Sequence, residues 1–95
     1  MEQDETPDRA IVTPATIRAA LLAYAEQAAA EKFHGTSALF ELMASDPRLE
    51  ADTSVRNDFA RRLTTLFFRV HPDSGERDLV RSAQSALCES TRVLA

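Results

Sequence analysis

The sequence predicts an all-α fold of four helices, and three observations carry that prediction. Apolar residues recur at spacings of three and four along most of the chain. The few helix-breaking residues, Gly 2 and Pro 4, fall largely between those stretches. No run alternates apolar with polar residues as a half-buried strand does. With 95 residues, 44% hydrophobic and 27% charged, the chain has the balance of one small globular domain.

The elements follow in order. Residues 1–12 hold Glu2, Asp4, Glu5 and Asp8 and little that packs, so they read as a flexible acidic lead-in. Thr13-Pro14 opens a first helix over 14–33: a hydroxyl at the N-cap, then a proline at the first helical position, where its missing N–H costs nothing. Ile17, Leu21, Tyr24 and Ala28 form its stripe, and Ala28-Ala29-Ala30 adds intrinsic helix propensity. Gly35 is the expected C-terminal stop, because a residue without Cβ turns left-handed freely, and His34 beside it reads as a capping residue.

Thr36 or Ser37 caps a short second helix at 37–45, with Leu39, Phe40, Leu42 and Met43 as its apolar members. Asp46-Pro47 breaks it, since the residue before proline is pushed out of the α region. Residues 46–54 read as a polar loop in which Asp52, Thr53 or Ser54 caps the next element. The third helix, 54–70, places Val55, Phe59, Leu63, Leu66, Phe67 and Val70 on one face, with Arg56, Arg61, Arg62 and Arg69 largely off it. Pro72 ends it, and Asp73-Ser74-Gly75 is turn chemistry. A last helix at 77–94 carries Val80, Ala83, Leu87, Ser90 and Leu94 as a thin seam.

Composition narrows the function. A chain this short buries only about 60–65% of its unfolded surface, which leaves little room for a deep catalytic cleft beside a complete core. Two histidines, one cysteine and two glycines supply neither a metal cage nor a phosphate-cradling loop, so no metal and no cofactor are expected. Lone Cys88 lacks the C-x-x-C spacing of zinc sites and reads as a small apolar helix residue in a reducing compartment. The net charge of −4 argues against nucleic acid as a partner. No apolar run approaches the roughly 20 residues of a membrane span. The acidic start is the reverse of a secretory or transit sequence, so an intracellular setting is expected, cytoplasmic rather than the mitochondrial matrix.

One tripeptide stands out by its context. His71-Pro72-Asp73 joins two predicted amphipathic helices, preceded by the short helix with Phe40-Glu41-Leu42-Met43. Counting back from His71, Val70, Leu66, Leu63 and Phe59 hold the core spacing of a long helix; counting forward, Leu87 and Leu94 do so for the last, which ends Arg92-Val93-Leu94. On these residues the segment from Leu39 to Leu94 resembles a divergent J domain, the helical module that activates DnaK-type chaperones. The segment 67–73 is also similar to the HPD-bearing region of the mitochondrial T-cell activation inhibitor family.

The resemblance implies a J-like helical hairpin, 54–70 and 77–94, within a domain at 36–95, preceded by an extra helix in 13–35. It implies docking of a DnaK-type ATPase domain on the long helix and the HPD loop. Arg61, Arg62 and Arg69 would steer and orient the encounter with an acidic face. Asp73 would accept a charge-assisted bond from a partner arginine, Pro72 would fix the loop and His71 would buttress it. The chain departs from the family pattern in several places. Ala44 stands where glycine is usual, the 46–54 loop is long, and Gln84 and Thr91 stand where aromatic residues are common. Thr64 and Thr65 occupy places that are often basic.

Plainer roles exist for the same residues. Pro72 can simply end a helix, His71 can cap its C-terminus and Asp73 can cap the helix that follows. Two functional expectations result: a co-chaperone that stimulates ATP hydrolysis, or a J-like interaction module in a larger assembly, with helix 14–33 either supplying the docking surface or covering the core. Exposure of the three arginines near the loop favours the first, and their burial against helix 14–33 the second. An enzyme is not expected, because His71 and Asp73 have no serine or cysteine nucleophile nearby in a suitable setting.

Overall fold

The computed structural model of the protein describes residues 12–92. Four helices follow one another, α1 (Ile17–Ala30), α2 (His34–Ala44), α3 (Thr53–Arg69) and α4 (Gly75–Arg92), with no strand among the described residues. The all-α prediction therefore holds. The lead-in expected at 1–12 falls almost wholly on residues outside the description, as do Val93 and Leu94 at the end of the last helix.

Two helix pairs build the body. α1 packs on α2, α3 packs on α4, and α1 also crosses onto α4, so the first helix belongs to the core. Ile17, Leu21, Ala25 and Ala28 bury one stripe of α1 completely or nearly so. Phe40 and Met43 of α2 meet it, and Tyr24 lies edge-on to Phe40 with ring centroids 6.5 Å apart. The small pair Ala25 and Ser37 brings the two backbones close: the buried Ser37 hydroxyl donates to the Ala25 carbonyl at 2.8 Å. On the other side Leu63 of α3 faces the buried row Val80, Ala83 and Leu87 of α4. All of these except Ser37, together with Leu49 from the α2–α3 connection, form one continuous hydrophobic cluster.

The first helix boundaries differ from those expected. α1 begins at Ile17, since Thr13 and Thr16 bond to one another across a turn that holds Pro14. It stops at Ala30, and the left-handed turn that ends it falls on Lys32 and not on Gly35. Lys32 sits at φ 69°, and Lys32 N–H and Phe33 N–H donate to the Ala29 and Ala28 carbonyls at 3.0 and 2.8 Å, the paired bonds of a Schellman ending. Gly35 is instead the second residue of α2, and His34 is its exposed first residue, so neither caps α1.

Two further corrections concern burial. The 46–52 connection is not wholly polar: Leu49 is fully buried. Arg56, expected off the apolar face of α3, is also fully buried. Its guanidinium donates to the Leu49 and Glu50 carbonyls, both at 2.8 Å, and to the Thr53 hydroxyl at 3.1 Å. It thus satisfies connection carbonyls that no helix reaches. Asp52 caps α3 as anticipated, its carboxylate accepting from Ser54 N–H at 2.9 Å.

Candidate functional site

The α3–α4 turn is built from its own sequence. α3 ends at Arg69; Val70 turns to ψ 144° and stays partly buried against the core, which anchors the start of the turn. His71, Pro72 and Asp73 are all exposed. The Ser74 N–H donates to the His71 carbonyl at 3.0 Å, closing a β-turn with Pro72 at its second position, where a fixed φ is favourable. Inside that turn the Asp73 N–H donates to Nδ1 of His71 at 3.1 Å. The helix that follows is capped by Ser74, whose hydroxyl accepts from Glu76 N–H at 3.1 Å; the alternative of Asp73 as that cap does not hold.

The exit of the turn is tied to the other helix pair. The Thr36 hydroxyl, at the start of α2, donates to the Glu76 carboxylate. Gly75 lies so close to the end of α1 that an added Cβ would stand 3.3 Å from Glu31 Oε1. Behind the turn, the Arg77 guanidinium lies 4.1 Å from the centroid of the Phe67 ring, a cation–π contact that joins the two helices of the hairpin. The tripeptide is thereby held at entry and exit, while its Asp73 carboxylate has no hydrogen-bond partner among the described residues.

The three arginines expected to flank the loop are exposed. Arg62 forms an (i, i+4) pair with Asp58 at 3.0 Å; Arg61 and Arg69 form no ion pair among the described residues. Arg62 and Arg69, seven residues apart, fall almost on one line of the helix, about 10 Å along its axis. Between them the Thr64 and Thr65 hydroxyls are turned back onto the Ala60 and Arg61 carbonyls at 3.0 and 3.3 Å. None of the three is buried against α1.

Two residues of this surface carried no expectation. Phe68 is 73% exposed on α3, edge-on to Phe67 with centroids 5.4 Å apart. The signal was in the sequence: of two adjacent phenylalanines on an amphipathic helix, only one can face the core. Arg81 of α4 is exposed beside it, bordering the same cleft. Cys88 is half-buried on α4, where the Gln84 amide approaches its sulfur at 3.5 Å. Among the described residues no three His, Cys, Asp or Glu side chains converge as a metal site, and no helix is long and apolar enough to cross a membrane.

No family model, curated protein or solved structure matches the chain.

Proposed function

We propose that the chain is a J-like co-chaperone module that binds the ATPase domain of a DnaK-type chaperone and stimulates its ATP hydrolysis. One observation carries the reading. The His71-Pro72-Asp73 turn is held rigidly at the tip of a helical hairpin, with the Asp73 carboxylate free of partners among the described residues and Arg69 exposed just before it.

The mechanism needs no chemistry from this chain. Exposed Arg61, Arg62 and Arg69 attract an acidic partner face and orient the encounter. The turn then delivers a preorganised carboxylate, and a charge-assisted bond from a partner arginine to Asp73 is stronger than a neutral one. His71 keeps the backbone around Asp73 in place, so little ordering entropy is lost on docking. A reducing intracellular compartment fits the free thiol of Cys88.

A second reading is favoured by the stretch between Arg61 and Arg69. That face presents back-bonded Thr64 and Thr65 and exposed Phe68 in place of further cations. It suits a J-like interaction module that joins a larger assembly without stimulating hydrolysis. Single-turnover ATP hydrolysis by DnaK-type chaperones from several compartments separates the two. Stimulation by the wild-type chain that is lost with Asp73→Asn establishes the first. No stimulation by folded protein from any of them discards it and leaves the second.

A further inference from the structure

Two clefts run along the seam between α3 and α4 and meet at Thr64 and Gln84. One, about 300 Å³, is bordered by Phe67, Phe68 and Arg81. The other, about 350 Å³, is bordered by Arg61 and Cys88 among others. The seam is therefore a single shallow groove with an exposed arginine on each cleft, and neither Arg61 nor Arg81 has a carboxylate partner among the described residues. Arg81 also borders a third cleft, of about 320 Å³, which Val12, the first described residue, borders too. The chain thus enters the described structure beside one end of the arginine-flanked groove.

Charge is distributed to match. Glu2, Asp4, Glu5 and Asp8 face a single arginine, Arg9, within residues 1–11, so most of the net charge of −4 sits in that segment. Residues 53–92, the α3–α4 hairpin, hold seven arginines against five carboxylates. We propose that residues 2–8 dock in cis in the α3–α4 groove, their carboxylates against Arg81 and Arg61.

Reach and stiffness agree with this. Asp8 lies four residues before Val12, a span of up to about 14 Å when extended, and Glu2 to Asp8 covers up to roughly 20 Å more. Arg81 and Arg61 each stand three residues from the meeting point of the clefts, about 9 Å apart along the seam by helical rise. The sequence spaces the four carboxylates over seven residues and includes one X-Pro step, Thr6-Pro7, a pair type that disfavours helix. Each exposed pair is weak and salt-screened by itself. The short tether supplies carboxylate at about millimolar effective concentration, which makes the contact populated but reversible. Resting on the co-chaperone reading, the segment is also an internal competitor: Arg61 cannot serve it and an acidic chaperone face together.

The test uses the full chain, ¹⁵N-labelled, as wild type and as the combined variant Glu2→Gln, Asp4→Asn, Glu5→Gln, Asp8→Asn, whose changes all lie outside residues 12–92. Spectra are compared at about 10 mM and about 1 M salt, where screening lengths are roughly 30 and 3 Å. At low salt the Phe68, Arg81 and Gln84 amides and the Arg61 and Arg81 side-chain N–H groups differ between the two proteins. At high salt those differences vanish, and in wild type Arg81→Glu removes the salt-dependent shifts of the remaining reporters. Low-salt spectra that superimpose outside residues 1–12 overturn the docking. Shifts that grow with protein concentration assign the groove to the segment of a second copy, and overturn it too.

Competition has its own readout. At low salt the neutralised variant binds a DnaK-type ATPase domain several-fold more tightly than wild type. Equal affinity overturns the competitor role while the spectral result stands. If neither protein binds any such domain, the co-chaperone reading fails and the spectra alone still decide the docking.

Discussion

The Asp73 N–H points at Nδ1 of His71, 3.1 Å away, so the histidine side chain holds the backbone of the very residue whose carboxylate has no partner among the described residues. The bond needs a lone pair on Nδ1, which ties the imidazole to the tautomer protonated on Nε2. Both side chains are exposed, and neither joins the hydrophobic cluster. The proposed function and stability are therefore separable at this turn. The expected outcome for His71→Gln is loss of chaperone ATPase stimulation with unchanged helicity and an unfolding free energy within about 0.5 kcal/mol of wild type. Circular dichroism with single-turnover hydrolysis checks it; a stimulated rate equal to wild type would sink the HPD mechanism.

Leu63 is the opposite case. It is fully buried in α3, opposite the α4 row of Val80, Ala83 and Leu87. Leu63→Ala leaves a cavity that the surrounding helices can only partly close, and is expected to cost about 2–5 kcal/mol. Urea denaturation measures it. A near-wild-type midpoint would mean that the hairpin packs in another register.

Arg56 combines full burial with the absence of any carboxylate partner among the described residues. Its charge is stabilised by carbonyl dipoles, and in return it closes the connection around Leu49. Arg56→Ala strands two carbonyls, at about 1–3 kcal/mol each where water does not reach them. Arg56→Lys is expected to rescue little of this, since a single ammonium cannot reproduce the planar fork. Chemical denaturation of both variants is the measurement. Full rescue by lysine would show that charge, and not geometry, is what the site requires.

A salt-linked clamp joins α1 to the same connection. Arg18 donates to Glu50 at 2.5 Å and also caps the end of α2 through the Ala44 and Asp46 carbonyls. The hydrogen bond from Arg18 holds the Glu50 carboxyl below its usual range, and Arg48 does the same for Asp46. Depressed folded-state values mean that this stabilisation is complete above the unfolded range of about 4 and is lost as pH falls through the lower folded value. The melting temperature is expected to drop between pH 5 and pH 2, which spans that range of about 4. Glu50→Gln should flatten the drop. An identical pH profile for the variant would remove Glu50 from the account.

Much of the fold was legible because its signals are local. The α3 stripe, the Asp52 cap and the break before Pro72 depend on residues within one or two turns, and each is found close to where the pattern put it. The HPD turn was legible as a loop for the same reason, and the exposure of Arg61, Arg62 and Arg69 followed from the helical face they occupy. What was hidden depends on partners far along the chain. Nothing local says that Arg56 would turn inward to carbonyls of the preceding connection, or that Leu49 would leave a polar stretch for the core. Arg81 gains its place only because α4 brings it beside both Phe68 and Val12.

The end of α1 is where a local rule misleads, and it supplies a last prediction. Glycine is the best residue for a left-handed helix ending, yet here Lys32 takes φ 69° while Gly35, three residues on, is helical. Phe33 explains the choice. By donating to the Ala28 carbonyl and packing against the core, it sets where the chain must turn, and the turn then falls on Lys32. A side chain at positive φ costs roughly 1–2 kcal/mol, part of which glycine would return to the unfolded chain as entropy. Lys32→Gly is therefore expected to stabilise the protein by about 0.5–1 kcal/mol. Lys32→Ala, with its Cβ still at positive φ, should gain nothing comparable. If alanine and glycine raise the urea midpoint equally, the lysine side chain is responsible, and the left-handed backbone is not the source of strain.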